Sequence, residues 1–310
     1  MKIRNSVVAA VCLLVGALGL TACSDDERSS AVGPQSAGAG QSQAGAAPAD
    51  AAAGCGDLTA AYPTIKGRNL NVGSSPGQNF YDYVDEKDPS NVIGLEPDLV
   101  RAVAQCGGFQ VTYQKSDFNG LVPALAAKRL DLITSGMYAT PERAKQVNFV
   151  TYMKAAEAAV VQTGNPKKVT GLDTLCGTTI AQVTGTVEVE IAAKADKDCQ
   201  AAGKPAIQFL NFTQQPQLTQ ALSQGRADVF LTDSGVAAYL SKQFAGSLET
   251  AFPIVSDFTF GIAVAKSDTD LLNAINEGLT RLHASGQLAA TATKWGFSAD
   301  QVIQPKIVTS

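Results

Sequence analysis

The sequence predicts an α/β protein of two similar lobes facing one cleft, and three observations predict it. From Asn69 onward, short β-branched and aliphatic runs alternate with amphipathic stretches, the order of α/β folds. Two stretches, LVPALAAKRLDLITSG (121–136) and LTQALSQGRADVFLTDSG (218–235), repeat one pattern: helix, tight turn with a basic residue, then an Asp-led strand ending in small polar residues. Each pattern puts a loop at the carboxyl end of a parallel strand, where open α/β sheets bind ligands. The chain's 310 residues, 45% hydrophobic and 17% charged, suffice for packed cores of this kind.

Taken from the start, residues 1–22 read as a signal peptide: Lys2 and Arg4 precede an apolar run from Val7 to Leu20, and Leu20-Thr21-Ala22 precede Cys23. The run falls short of the ~20 residues that a membrane span needs, which favours a cleaved leader over an uncleaved anchor. Small residues before the cysteine resemble the lipobox of bacterial lipoproteins, which implies that Cys23 is diacylated and becomes the mature N-terminus. The segment 23–54 continues in Ala, Gly, Ser and Gln with few large apolar side chains. It cannot bury enough surface to fold and is expected to tether an exported body to the outer face of the cytoplasmic membrane. The net charge is −4, or −6 once Lys2 and Arg4 are gone, and offers no basic surface to nucleic acid.

Strands are expected at 69–74, 109–114, 130–135, 158–163, 178–183, 206–212, 228–232 and 261–266, each a short β-rich run bounded by turn residues. Helices are expected at 96–106, 119–128, 187–195, 216–225 and 234–243, where apolar residues recur at helical spacing. Residues 267–295 read as two amphipathic helices separated near Gly286. Between these, Thr140 is a fitting N-cap and Pro141 a fitting first helical residue, so a helix start is expected there. Arg143 then falls in the first turn, where the helix dipole disfavours a cation by up to about 1 kcal/mol. An anionic partner would offset that cost.

Beyond Cys12 and Cys23, four cysteines remain, and in an exported chain they are expected to form disulfides. Three connectivities are open; local pairing, Cys55 with Cys106 and Cys176 with Cys199, is the one expected. No Cys or His spacing suggests a metal site, the one histidine is His283, and no cofactor is expected.

Six ordered segments carry a family resemblance: NLNVGSSPGQNFYDYVD, IGLEPDLVRAVA, DFNGLVPALAAKRLDLITSGMYATPERAKQVNF, GTTIAQVTGTVEVE, ALSQGRADVFLTDSGVAAYL and FGIAVAKSDTDLLNAINEGLTRLHASGQLAATATKWGF. Over roughly residues 68–297 the chain resembles the solute-binding proteins of bacterial ABC importers, in the family that binds polar amino acids. The resemblance implies a type II, Venus-flytrap fold with a mostly parallel sheet in each lobe. Lobe one would comprise 55–156 and 259–310, and lobe two 157–258, with ligand held between them as they close about a hinge. Cys176 and Cys199 would then flank one helix of lobe two. A monomeric receptor that hands its ligand to a permease and ATPase, and makes or breaks no bond, is the implied function.

A free amino acid is a carboxylate and an ammonium on one carbon, so its receptor needs a fixed cation and a fixed anion. The resemblance assigns Arg143 to the α-carboxylate, which a planar guanidinium matches in bidentate fashion, and Asp233 to the α-ammonium. Asp233 would also suit the N-cap of the helix from Ser234. Backbone N–H groups at Gly136, Tyr138, Gly185 and Thr186 are expected to complete the carboxylate site, and the rings of Tyr81 and Phe118 to wall the ligand side chain.

Three departures from the family pattern bear on the ligand. Tyr138 replaces a small hydroxyl residue, Ser75 replaces a frequent Asp, and Gln78 stands where an aromatic often follows. A bulkier floor and a missing acid argue against a basic ligand, unless Asp82 or Asp117 supplies the charge. Two other functions fit the resemblance: an elimination enzyme like cyclohexadienyl dehydratase, and a binding protein that reports ligand to a signalling partner. For the first, His283 is a poor acid or base, being expected on the solvated side of its helix.

Overall fold

The computed structural model describes residues 54–77 and 81–310. The expected leader at 1–22, Cys23, the expected linker as far as residue 53, and Gln78 lie outside the described residues. The elements run β1 (Asn69–Ser74), β2 (Tyr83–Val84), β3 (Val92–Ile93), α1 (Leu95–Gly107), β4 (Gln110–Lys115), α2 (Phe118–Ala126), β5 (Leu132–Ile133), α3 (Pro141–Ala144), β6 (Asn148–Lys154) and β7 (Glu157–Gln162). They continue β8 (Thr179–Val183), α4 (Val187–Ala201), β9 (Gln208–Phe212), α5 (Gln215–Ser223), β10 (Val229–Asp233), α6 (Ser234–Gln243), β11 (Leu248–Ile254), β12 (Thr259–Val264), α7 (Thr269–Ala284), α8 (Gln287–Lys294) and β13 (Val302–Val308).

Two sheets carry this order. One reads β13-β6-β12-β5-β1-β4 and the other β11-β7-β10-β8-β9, with β2 and β3 paired separately. In each sheet three strands are parallel, β4-β1-β5 and β9-β8-β10, and the rest join antiparallel. The chain passes from the first sheet to the second between Lys154 and Glu157, and returns between Ile254 and Thr259. The Ala155 N–H donates to the Phe258 carbonyl at 2.8 Å and ties the two crossings together. This is the two-lobed type II architecture that the resemblance implied.

The repeated pattern is built the same way twice. In the first lobe the Asp131 carboxylate accepts from the Asn71 N–H, and in the second Asp228 accepts from the Thr179 N–H, both at 2.8 Å. Each aspartate thus fastens the turn after a helix to the start of a parallel strand. Lys128 takes the left-handed conformation (φ 59°) where the second copy has Gly225 (φ 68°).

Five strands escape the sequence pattern: the two-residue β2 and β3, too short to show one, and β6, β11 and β13. β6 is buried along nearly its whole length, so it lacks the polar and apolar alternation that marks a half-exposed strand. β11 and β13 contain Pro253 and Pro305, and both lie at sheet edges, where a missing N–H is tolerated. The helix expected from Pro141 is a single turn, with the Thr140 hydroxyl accepting from the Arg143 N–H at 3.3 Å.

Disulfides join Cys55 to Cys106 and Cys176 to Cys199. The first clamps the segment ahead of β1 onto the end of α1. The second fastens α4 beside β8, where Cys199 packs among Ile180, Ala192, Val229 and Leu231.

Candidate functional site

The strand ends of both lobes meet around a cavity of ≈ 20 Å³, lined by Tyr81, Phe118, Gly136, Tyr138, Arg143, Thr186, Val187, Glu188, Thr232, Asp233 and Phe260. That volume is about the room one water needs, so the lobes are closed tighter than an amino acid would allow. A larger groove of ≈ 560 Å³ runs along α4 and the second crossing, and it shares no residue with this cavity.

Arg143 spans the closed cleft. Its Nη1 donates to the Tyr138 carbonyl and its Nη2 to the Gly185 carbonyl of the other lobe, both at 2.9 Å. The guanidinium also lies over the Phe118 ring, 5.4 Å from its centroid. Glu142, the adjacent acid, pairs instead with Lys145 at 2.5 Å. Burial draws the arginine's pKa below its ordinary value, with Glu188 and Glu190 pulling the other way; a guanidinium remains charged nonetheless.

Asp233 closes β10 and caps α6. Its Oδ1 accepts from the Gly235 and Val236 N–H groups at 2.8 and 3.3 Å, while its Oδ2 is buried without a hydrogen-bond partner. Burial raises its pKa to about 6, against the opposing pull of the neighbouring Tyr81 hydroxyl and the two capping amides. One oxygen therefore serves the fold and the other faces the cavity.

The floor is aromatic. Tyr138 stacks on Phe258 at 5.3 Å and leans on Phe260 at 4.8 Å, and Tyr81 packs against Phe260 at 4.4 Å and Phe297 at 4.8 Å. Gly136 makes this packing possible: with φ at 56°, an added Cβ would come within 2.8 Å of the Tyr81 ring. Phe118 lines the cavity, but one face of its ring is already given to Arg143.

Other residues singled out in the sequence stand differently. The Gly136 N–H is not free for an anion; it donates to Glu96 Oε2 at 2.9 Å. Ser75 is buried outside the cavity lining and its N–H donates to the Ser135 hydroxyl at 3.0 Å. Thr186 lines the cavity, and its hydroxyl donates to the Val183 carbonyl. Of the two acids considered as substitutes, Asp82 is sealed beneath the floor, accepting from Ser74 and Ser135, and Asp117 accepts from Gln214 across the cleft at 2.9 Å. Glu96 lies in the same buried layer as Asp82, accepts from the Tyr152 hydroxyl at 2.8 Å, and is pushed by burial to about 7.

Two acids that no motif marks in the sequence belong here, one lining the cavity and one beside it. Glu188, in the first turn of α4, reads in sequence as an ordinary complement to a helix dipole, yet it lines the cavity. Glu157 opens β7 immediately after the first crossing, is 0% exposed, and has no hydrogen-bond partner on either carboxylate oxygen. It is the register partner of Asp233, so the two side chains leave the sheet on one face. Burial, then the proximity of Glu188, raises Glu157 to about 9, and burial raises Glu188 as well. A carboxylate entering the apolar run EAAVV was the available signal.

The family described as "Bacterial extracellular solute-binding proteins, family 3" matches residues 70–298. The arginine-binding protein ArgT of Corynebacterium glutamicum is 28% identical over 229 residues, covering 74% of this chain and 74% of that protein. Among solved structures, an ancestral arginine-binding protein bound to arginine is 29% identical with a TM-score of 0.67, over 75% of this chain and 99% of that one. The ancestral amino acid-binding protein AncCDT-1, a precursor of cyclohexadienyl dehydratase, is 27% identical with a TM-score of 0.64, over 73% of this chain and 95% of that one.

Proposed function

The chain belongs to the bacterial extracellular solute-binding proteins of family 3, and from that premise we propose that it captures a free amino acid between its lobes for delivery to an ABC importer. The observation that carries the reading is that Arg143 and the unpartnered Oδ2 of Asp233 border one cavity. A carboxylate is a stronger acceptor for a guanidinium than the backbone carbonyls that now occupy it. A ligand's α-carboxylate would therefore displace the Tyr138 and Gly185 carbonyls, and its α-ammonium would meet Asp233.

Closure and release follow from the same contacts. The Arg143 bond to Gly185 and the Asp117 bond to Gln214 bridge the lobes. Amino acid enters when they part, and it shifts the balance toward closure only as far as its contacts differ between open and closed forms. The lobes are 55–156 with 259–310, and 157–258, turning about the crossings. The leader exports the chain, and a lipid on Cys23 with the linker to residue 54 anchors a monomeric body near its permease. Cys23→Ser should then move the protein from the membrane fraction into the medium or periplasm; retention at the membrane refutes the anchor.

Calorimetry of the purified protein against the common amino acids tests the binding reading. At least one should bind, and Arg143→Ala should weaken it by about a hundredfold or more, the scale for removing one partner of a buried charge pair. Wild-type affinity in that variant refutes the site. The second reading, an elimination enzyme, draws on one observation: Glu157 is a buried carboxyl raised to about 9, close enough to the cleft to serve as an acid. Catalytic turnover of prephenate or arogenate would favour it over a receptor that makes and breaks no bond.

A further inference from the structure

Resting on the amino-acid reading above, we infer that Glu157 and Glu188 form a second, anionic subsite that takes a positively charged ligand side chain, which makes the ligand a basic amino acid. The argument is one of charge and placement. Arg143 is the cation among the residues lining the cavity and acts on Glu188, while three carboxyl groups belong to the site, Asp233 and Glu188 in the lining and Glu157 beside them; a ligand carboxylate on Arg143 takes up that charge. An α-amino acid's carboxylate and ammonium engage Arg143 and Asp233, and the side chain of a neutral amino acid, even one with amide donors, then brings no positive charge to the remaining pair.

Glu157 is the decisive member. A buried carboxyl without a hydrogen bond of ordinary length to either oxygen lacks the compensation its burial calls for, and this one stands on the sheet face that carries Asp233, with the Tyr138 hydroxyl and the Glu188 carboxyl as polar neighbours. The groups that face it are the Tyr138 hydroxyl from the loop before α3, Glu188 from α4 and Asp233 from β10. Its other register partner, Ile254 of β11, is apolar. None of these supplies a positive charge. A guanidinium or ammonium on a ligand side chain would, and a guanidinium would also present several N–H donors to the unpaired oxygens. The charge that the resemblance led one to expect at Ser75 is thus supplied from the opposite lobe, by residues at the first crossing and at the start of α4.

A linkage follows. While the pair is empty, burial and mutual repulsion keep a proton on it near neutral pH. A cation beside the pair favours loss of that proton, so affinity for a basic ligand rises with pH between 7 and 9, and affinity for a neutral one does not.

The test is calorimetry of the purified protein with L-arginine, L-ornithine, L-glutamine and L-citrulline, the last matching arginine in shape with a neutral urea in place of the guanidinium. Arginine is expected to bind about a hundredfold or more tighter than citrulline, and more tightly at pH 8.5 than at pH 7. Glu157→Gln, close in shape to the original, should bring the arginine-to-citrulline ratio within about tenfold and remove the pH dependence; Glu188→Gln, at the cavity edge, should reduce the ratio in the same sense. Equal wild-type affinities for arginine and citrulline overturn the subsite, as does an unchanged ratio in both variants. In either case a loss of all binding in Arg143→Ala leaves the amino-acid reading standing. Failure of every amino acid to bind overturns that reading and the subsite together.

Discussion

Replacing Glu157 by Gln should make the ligand-free protein more stable at neutral and alkaline pH, and the structure gives the size. The carboxyl has an ordinary value of 4.5 and is raised in the fold to about 9, chiefly by burial. Between those values the folded chain holds a proton that the unfolded chain has lost. Stability therefore falls as pH rises, by at most about 1.4 kcal/mol per pH unit for one proton. From pH 5.5 to 7.5 that amounts to roughly 2–3 kcal/mol. Glu96 and Asp233, raised to about 7 and about 6, act in the same direction, so the wild-type slope is steepest at the acidic end. The variant retains those groups and lacks the contribution of residue 157. Urea denaturation at half-unit steps from pH 5 to 8.5 measures both curves. They should nearly meet at pH 5 and diverge upward, with Glu157→Gln more stable by about 2 kcal/mol or more at pH 7.5. Parallel curves would show that Glu157 titrates alike in the folded and unfolded chain, and the argument from burial would fail.

Two further outcomes follow from packing. In Gly185→Ala the new Cβ would lie 2.8 Å from Asn119 Cβ of the opposite lobe, at a φ of 84°, so closure should be blocked; small-angle scattering should report a larger radius than wild type, and ligand affinity should fall at least about tenfold, the strain being of order 1–2 kcal/mol. An unchanged radius and affinity would mean that the lobes do not meet at this contact. Removing the Cys176–Cys199 bond by a double change to Ala should lower the unfolding free energy by about 3 kcal/mol, as expected for closing a loop of this size, and a loss below about 1 kcal/mol would show that α4 is held by its apolar face alone.

The α/β order, the repeated helix-turn-strand unit and the cleft at the strand ends were legible because each rests on local chemistry. Helical spacing shows which face of α7 is apolar, and the pair Asp131 and Asp228 marks one turn built twice. Local chemistry also marks Arg143 and Asp233, since a cation in a first helical turn and an acid at a strand end are visible oddities. β6 was not legible because burial on both faces erases alternation. β11 and β13 were not, because a proline is excluded from a sheet interior but permitted at an edge, and which strand forms the edge is a fact of assembly.

Spacing along the chain thus carried the α/β order and the repeated unit, the family resemblance carried the two-lobed architecture and the pairing of Arg143 with Asp233, and the disulfide connectivity, open among three by sequence, was decided by the fold. The company the site residues keep was decided there too. Gly136 spends its N–H on Glu96, Asp82 is sealed under an aromatic floor, and Ser75 lies outside the cavity. Glu157 and Glu188, 31 residues apart and unremarked in their own segments, come together only where the first crossing brings β7 beside α4. Electrostatic character depends on distance and burial in three dimensions, and neither is written in the local pattern of a chain.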